Sequence, residues 1–318
     1  MTTVGFCLAA GAGTRLAPLT ERVPKPLLAP AGRPLVDLAL DALAAAGASR
    51  LAVNAHHHAG QLAAHLAGRP GCTVVREPEL LGTGGGLANA RRLGLLDAEV
   101  VLVTCADVVV DPADLVRLAE ALERGSAGAV VGLVPGAGDP PLELADGLVR
   151  PGGHGRWASA AVYALRAGAL DAPPGLPPRR QPSSLVATLL EPLWRVRRLG
   201  GVPLQGAWVD AGSRAGFLDA AAGLVRGRWP YAPPPGRLDP EGPTLIVDGA
   251  TVDASARLTG TVVADRGARV HAGAGIERSV LGPGSMVGAH ARVVASVLGP
   301  GGAVEPGATV ERALVARA

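Results

Sequence analysis

The sequence predicts an α/β protein: a mixed, mostly parallel sheet with helices on its faces, followed by a short left-handed parallel β-helix. Three observations carry this. Short apolar runs without helical period, such as 4–10 and 100–104, alternate with helical stretches of about ten residues, the pattern of βαβ units on buried strands. Glycines stand directly after several of these runs, where the backbone must turn back. Towards the end the chain repeats. Ser279-Val280-Leu281-Gly282-Pro283-Gly284 returns as Ser296-Val297-Leu298-Gly299-Pro300-Gly301, and Ile246, Val252, Leu258, Ala264, Val270 and Ile276 keep a period of six. Hexads with Gly and Pro turns stack three to a coil, each coil burying a face on its neighbours.

A chain of 318 residues is long enough for a well-buried core and for more than one domain. The expected division is 1–225, a proline-rich linker without regular structure at 226–243, and the β-helix at 244–318. With 48% hydrophobic but only 3% aromatic residues, the core must be built from Ala, Val and Leu. The 30 Lys and Arg are scattered among 27 Asp and Glu, with no basic run and no interleaved aromatics, which excludes a nucleic-acid surface. Cys7, Cys72 and Cys105 lack metal-ligand spacing and lie in apolar runs, as expected of buried thiols in a reducing cytoplasm. The start has no basic region before its apolar run, and no apolar run reaches the ~18 residues of a membrane span, so neither a signal peptide nor a membrane partner is expected.

Residues 4–37 carry the chemistry. The apolar run from Val4 to Ala10 reads as a buried strand and ends in Gly11-Ala12-Gly13-Thr14, a turn that brings successive N–H groups together as a cradle for phosphate oxygens. Arg15 follows at once. Lys25, between Pro24 and Pro26, is the only lysine in the chain; a sequence that supplies arginine everywhere else points here to a site that wants a compact ammonium charge. Four blocks then keep their spacing: Leu8-Ala9-Ala10-Gly11-Ala12-Gly13-Thr14-Arg15, Pro18-Leu19-Thr20, Pro24-Lys25-Pro26-Leu27 and Gly32-Arg33-Pro34-Leu35-Val36-Asp37. Together they closely resemble the amino-terminal signature of the sugar-1-phosphate nucleotidyltransferases, the NDP-sugar pyrophosphorylases. The resemblance implies the Rossmann-like nucleotidyltransferase fold, with Leu8, Ala10, Gly11, Gly13 and Thr14 at the nucleotide and Arg15 and Lys25 as catalytic cations.

Further along, Pro34–Ala46 has helical spacing with Gly47 as its stop, and Leu51–Asn54 is the next strand. His56-His57-His58 looks like a metal cluster, but three adjacent side chains splay apart, and the expectation is one histidine ordering the loop with the others solvated. Gly60–Leu66 reads as a short helix and Cys72–Val75 as a strand. In Leu81-Gly82-Thr83-Gly84-Gly85-Gly86, three consecutive glycines weaken a helix start, so something must compensate; the close approach of a flat ligand is one reason. The resemblance gives Thr83, Gly84 and Gly85 to the nucleobase.

Val100–Asp107 is an apolar strand ending in a carboxylate, at the place where an open sheet meets its ligand. Asp107 matches the family's metal-binding aspartate, although Cys105-Ala106-Asp107 stands where Asn-Gly-Asp is usual. Asp111 reads as the N-cap of a helix with Pro112 in its first turn. Ala129–Leu133 is a strand and 135–156 a Gly- and Pro-rich excursion placed near the sugar; Glu143 lacks the lysine that commonly accompanies it in the family, and Trp157–Tyr163 follows in place of a Gly-Ile-Tyr-type strand. Leu185–Trp194 has helical spacing. Trp208-Val209-Asp210-Ala211-Gly212-Ser213 matches the Trp-x-Asp-x-Gly-Thr segment whose aspartate is the family's second metal ligand.

The resemblance thus implies transfer of a nucleotidyl group from an NTP to a sugar-1-phosphate, with Mg²⁺ as cofactor on Asp107 and Asp210. The nearest members are mannose-1-phosphate guanylyltransferases and N-acetylmuramate-1-phosphate uridylyltransferases, and the β-helix implies a homo-oligomer. Ala106 and the missing Glu-Lys pair motivate an alternative, a regulatory homologue that binds nucleotide sugar without turnover. His271 and His290 in the repeats motivate another, a β-helix acyltransferase, against which about four coils are few.

Overall fold

In a computed structural model the chain is described over residues 2–317, apart from 137–140, 153, 172–181, 233 and 240–241. It divides into two compact units, Met1–Gly11 with Ala39–Trp208 and Ala12–Leu38 with Val209–Ala318. The division groups the chain that follows the first glycine turn with the C-terminal coils.

The first unit is built on a mixed sheet. Its elements are β1 (Thr3–Leu8), α1 (Leu35–Ala45, begun in the other unit), β2 (Arg50–Ala55), α2 (Ala59–Leu66), β3 (Cys72–Arg76), α3 (Gly82–Arg92), β4 (Val100–Cys105), β5 (Val108–Val110), α4 (Pro112–Arg124), β6 (Ala129–Pro135), β7 (Leu142–Ala145), β8 (Leu148–Pro151), β9 (Trp157–Arg166), α5 (Ala167–Asp171), α6 (Glu191–Arg195) and β10 (Leu199–Pro203). The spatial order is β3-β2-β1-β4-β9-β6-β10-β8-β7. The first four strands are parallel, as their continuous apolar runs require for burial on both faces. Phe6, Val101, Val103, Leu87 and Leu165 share one core.

Three features of this unit depart from the expectations. The excursion after β6 contains a hairpin, β7–β8, closed by Asp146 and Gly147, both left-handed with φ 53° and 75°. That geometry suits the twist of a two-residue hairpin loop. The segment 157–166 is a ten-residue strand running antiparallel between β4 and β6. The helix expected at 185–194 forms as a π-helical turn, Val186–Leu190, continued by α6.

β11 (Trp208–Asp210), begun at the last residue of the first unit, leads in the second into α7 (Arg214–Val225), whose first turn is capped by Ser213 Oγ accepting the Gly216 N–H at 3.1 Å. The C-terminal strands pair in parallel from one turn of chain to the next: Val280 with Val297, then Val297 with Leu314, a spacing of 17 residues. Val270, Ile276, Leu281, Val287, Val293 and Leu298, five or six positions apart, fill the interior with small aliphatic side chains, so the repeating positions mark the inward face. This is the arrangement expected of a parallel β-helix. The repeated serines of the sequence have a place in it. Ser296 N–H donates to Ser279 Oγ at 3.1 Å and Ala313 N–H to Ser296 Oγ at 3.0 Å, so the column satisfies backbone groups at a buried corner. The proline-rich stretch 226–243 is not without regular structure: Gly236–Asp239, free of proline, pairs antiparallel with Thr244–Val247.

Candidate functional site

The candidate residues are divided between the two units. In the first, the carboxyl ends of β1, β2 and β4 lie side by side, with Leu8 opposite Asn54 on one flank and Cys105 on the other. The chain leaving β1 and β4 is tied there, since Ala106 N–H donates to the Leu8 carbonyl at 2.9 Å. Asp107 follows in the turn and is largely buried, at 8% exposure. A carboxylate at the end of a central parallel strand faces the crevice where open sheets bind ligands. Ala106 is not among the left-handed residues, so the usual glycine is not required at that position.

Leu8 and Ala10 are buried, while Gly11 is exposed and has no atom within 4 Å of the direction its side chain would take. The glycines of α3 are different. A Cβ on Gly84 would overlap Thr188 Oγ1 and stand 2.8 Å from the Ser184 carbonyl oxygen, and one on Gly82 would stand 2.5 Å from that of Ser183. Thr83 Oγ1 accepts the Leu185 N–H at 2.8 Å, and Gly84 N–H donates to the Ser183 carbonyl at 2.9 Å. Close approach of the chain's own backbone is therefore what compensates the cost of these glycines. Gly85 is buried beside them.

Sequence reasoning missed a buried pair behind this segment. Asn54 Oδ1 accepts the Ala9 N–H at 2.8 Å, its Nδ2 donates to Glu77 Oε1 at 2.8 Å, and Glu77 Oε2 accepts the Leu81 N–H at 3.3 Å. Both side chains are buried, at 1% and 3% exposure. Burial pushes the Glu77 carboxyl above its ordinary range, while the bonds from Asn54 and Leu81 oppose the shift. The available signal was a lone amide ending the apolar run of β2. Of the three histidines, His56 Nδ1 lies 2.9 Å from the Glu77 carbonyl, to which it can only donate, and His57 and His58 meet edge to face at 4.2 Å. One histidine orders the loop, as expected; the other two are half-buried rather than fully solvated.

In the second unit the glycine loop closes on the lysine. Gly13 is left-handed, φ 70°, and a Cβ there would stand 2.9 Å from Lys25 Cβ and 2.9 Å from Thr20 Cγ2. Thr20 Oγ1 donates to the Gly13 carbonyl at 3.1 Å. Thr14 and Arg15 are exposed and Lys25 is half-buried. Asp210, at the start of the turn into α7, accepts the Gly212 N–H through Oδ1 at 2.7 Å and faces Arg15 through Oδ2 at 3.5 Å. That ion pair is long and its side chains are 61% and 41% exposed, so it adds little stability. Among the described residues no three His, Cys, Asp or Glu gather closely enough to hold a metal by themselves. A hard cation held chiefly by phosphate oxygens needs only one or two carboxylates, and Asp107 in the first unit and Asp210 in the second are each a donor of that type.

The sequence model of the nucleotidyl transferase family matches residues 4–226. The chain belongs to this family. A mannose-1-phosphate guanylyltransferase of Mycobacterium tuberculosis is 30% identical over 86% of this nucleotidyl transferase and 78% of its own length. An N-acetylmuramate alpha-1-phosphate uridylyltransferase of Caulobacter vibrioides is 32% identical over 70% of this chain and 97% of its own. Among solved structures, a glucose-1-phosphate thymidylyltransferase from Bacillus anthracis superposes with a TM-score of 0.61 over 71% of this chain and 96% of its own, at 19% identity, a likeness of fold.

Proposed function

We propose that this nucleotidyl transferase moves a nucleotidyl group from an NTP to a sugar-1-phosphate, giving an NDP-sugar and pyrophosphate. The observation that carries the reading is the left-handed Gly13 packed against Lys25, which makes the glycine loop and the chain's one lysine a single local structure. Two anions must meet in this reaction, so charge neutralisation and alignment do most of the work. The N–H groups of Gly11–Thr14 bind the triphosphate, and Leu8, Ala10, Thr83, Gly84 and Gly85 position the nucleoside. Arg15 holds the departing pyrophosphate, giving up its weak pairing with Asp210, and Lys25 holds the α-phosphate or the attacking sugar phosphate. Asp107 and Asp210 would hold Mg²⁺, which supplies further neutralisation of the phosphate oxygens. The nucleophile is already ionised, so no general base is needed.

The relatives set the first substrates to try, guanylyl transfer to mannose 1-phosphate and uridylyl transfer to N-acetylmuramate 1-phosphate. No observation favours a homologue without turnover, since the alanine before Asp107 meets no backbone demand for glycine. We also place the enzyme in the cytoplasm, consistent with three cysteines that form no disulfide among the described residues, and read it as a homo-oligomer joined through a left-handed β-helix, without nucleic-acid or membrane partners. The catalytic domain is read as 1–225, the linker as 226–243 and the β-helix as 244–318. The metal reading has a direct test. A chelator should abolish pyrophosphate release and added Mg²⁺ should restore it, and Asp107→Asn should lower turnover about 100-fold or more while the fold melts as before. Full activity in the chelator would overturn it.

A further inference from the structure

Asn54 and Glu77 stand 23 residues apart in the chain and are brought together only by the pairing of β2 with β3. Each spends both of its polar atoms on a different partner. Asn54 reaches forward to Ala9, in the turn that leaves β1 for the glycine loop, and Glu77 reaches forward to Leu81, the residue before α3. The pair therefore runs as one unbroken line of hydrogen bonds from the first glycine segment to the second. The line is enclosed by Gly86, where a Cβ would stand 2.5 Å from Asn54 Nδ2 and 2.9 Å from Glu77 Oε1. Packing this tight leaves neither side chain another place to go. Burying a carboxylate is costly, and a core that wanted only stability would put an apolar pair here. What an amide and a carboxylate provide instead is direction: the donor and acceptor pattern is satisfied in one arrangement of the two loops.

We propose that Asn54 and Glu77 are positioning residues for nucleotide binding, a rigid bridge that holds the Ala9–Gly11 turn and the Leu81–Gly85 segment at the spacing the nucleotide needs. This rests on the nucleotidyl transfer reading and adds to it two residues that act through the backbone they hold. The polarity of the bridge makes a specific test possible. Glu77→Gln alone puts an amide NH₂ against either Asn54 Nδ2 or the Leu81 N–H, donor against donor. Asn54→Asp alone puts a second carboxylate against Glu77. The double variant exchanges the two groups: the introduced carboxylate accepts from Ala9 and from the introduced amide, whose oxygen accepts from Leu81. Every bond is regained with the formal charge unchanged.

The experiment measures the dissociation constants of GTP and UTP by calorimetry, with KM, kcat and the melting temperature, for the wild type, both single variants and the double. Each single variant is expected to raise the nucleotide dissociation constant and KM about tenfold, with kcat within about threefold, and the double to return both to within about threefold of wild type. A role in stability alone would lower the melting temperature and leave KM unchanged. That outcome, or a double variant as weak as the worse single one, would overturn the bridge. If nucleotide binds but no pyrophosphate is released with any sugar phosphate, the transfer reading falls, and the dissociation constants still decide the bridge. A wild type that binds neither GTP nor UTP, nor any other NTP, overturns both.

Discussion

Gly84 and Gly60 both lie inside helices, where replacing glycine by alanine ordinarily stabilises by ~1 kcal/mol. Their surroundings differ. No atom lies within 4 Å of a Cβ on Gly60, whereas one on Gly84 runs into Thr188 and the Ser184 carbonyl. We expect Gly60→Ala to raise the unfolding free energy by roughly 0.5–1 kcal/mol, and Gly84→Ala to lower it by roughly 2 kcal/mol because backbone must move. Urea unfolding of the two variants checks this; equal and favourable effects would mean that the segment from Ser183 to Thr188 does not pack on α3 as described. The same comparison shows what was legible residue by residue. The four signature blocks, and the places of Asp107 after β4 and of Asp210 before α7, could be read directly, because their types and spacings are local. The reason for the glycines at 82 and 84 could not, since their neighbours, Ser183, Ser184 and Thr188, come from about a hundred positions further along. Nor could the bridge of Asn54 to Glu77, for the same physical cause.

At the scale of elements, the parallel strands were legible because burial on both faces leaves a continuous apolar run, and the coils because their turns repeat. The hairpin β7–β8 was hidden in a Gly- and Pro-rich stretch, although Asp146-Gly147 is itself a hairpin signal. The direction of β9 has no local signature at all. The coils also hold a buried group that makes them sensitive to pH. Asp265 is 4% exposed; its Oδ1 accepts the Arg266 N–H at 2.6 Å, while Oδ2 has no hydrogen-bond partner among the described residues. Desolvation raises its pKa above the ordinary carboxyl value, with the Arg266 N–H and guanidinium opposing. A raised folded value means the native state binds the proton more tightly than the unfolded chain. The charged form therefore costs stability above the folded pKa, and the cost vanishes below the unfolded value of ~3.9. Asp265→Asn, which keeps the bond to Arg266, should raise the unfolding free energy at pH 7 by about 1 kcal/mol and change little at pH 3. A loss of stability at pH 7 would show that the ionised carboxylate is needed.

For the whole molecule, the match to the mycobacterial guanylyltransferase spans 86% of the chain, so the likeness runs past the family's 4–226 into the coils. The sequence foretold the α/β sheet and the repeats as separate expectations. Their grouping, with residues 12–38 counted among the contacts of the coils' unit, comes from packing that no local pattern encodes. The proposed reaction depends on Lys25, the one lysine among the 30 basic residues of the chain. The most direct test is pyrophosphate release, measured with Mg²⁺ across the NTPs and a panel of sugar-1-phosphates, on the wild type and on Lys25→Ala. The account predicts release from one nucleotide and sugar pair, with the NDP-sugar found by mass, and a rate at least ~100-fold lower in the variant. Release that is unchanged in Lys25→Ala, or no release from any pair although nucleotide binds, would contradict it.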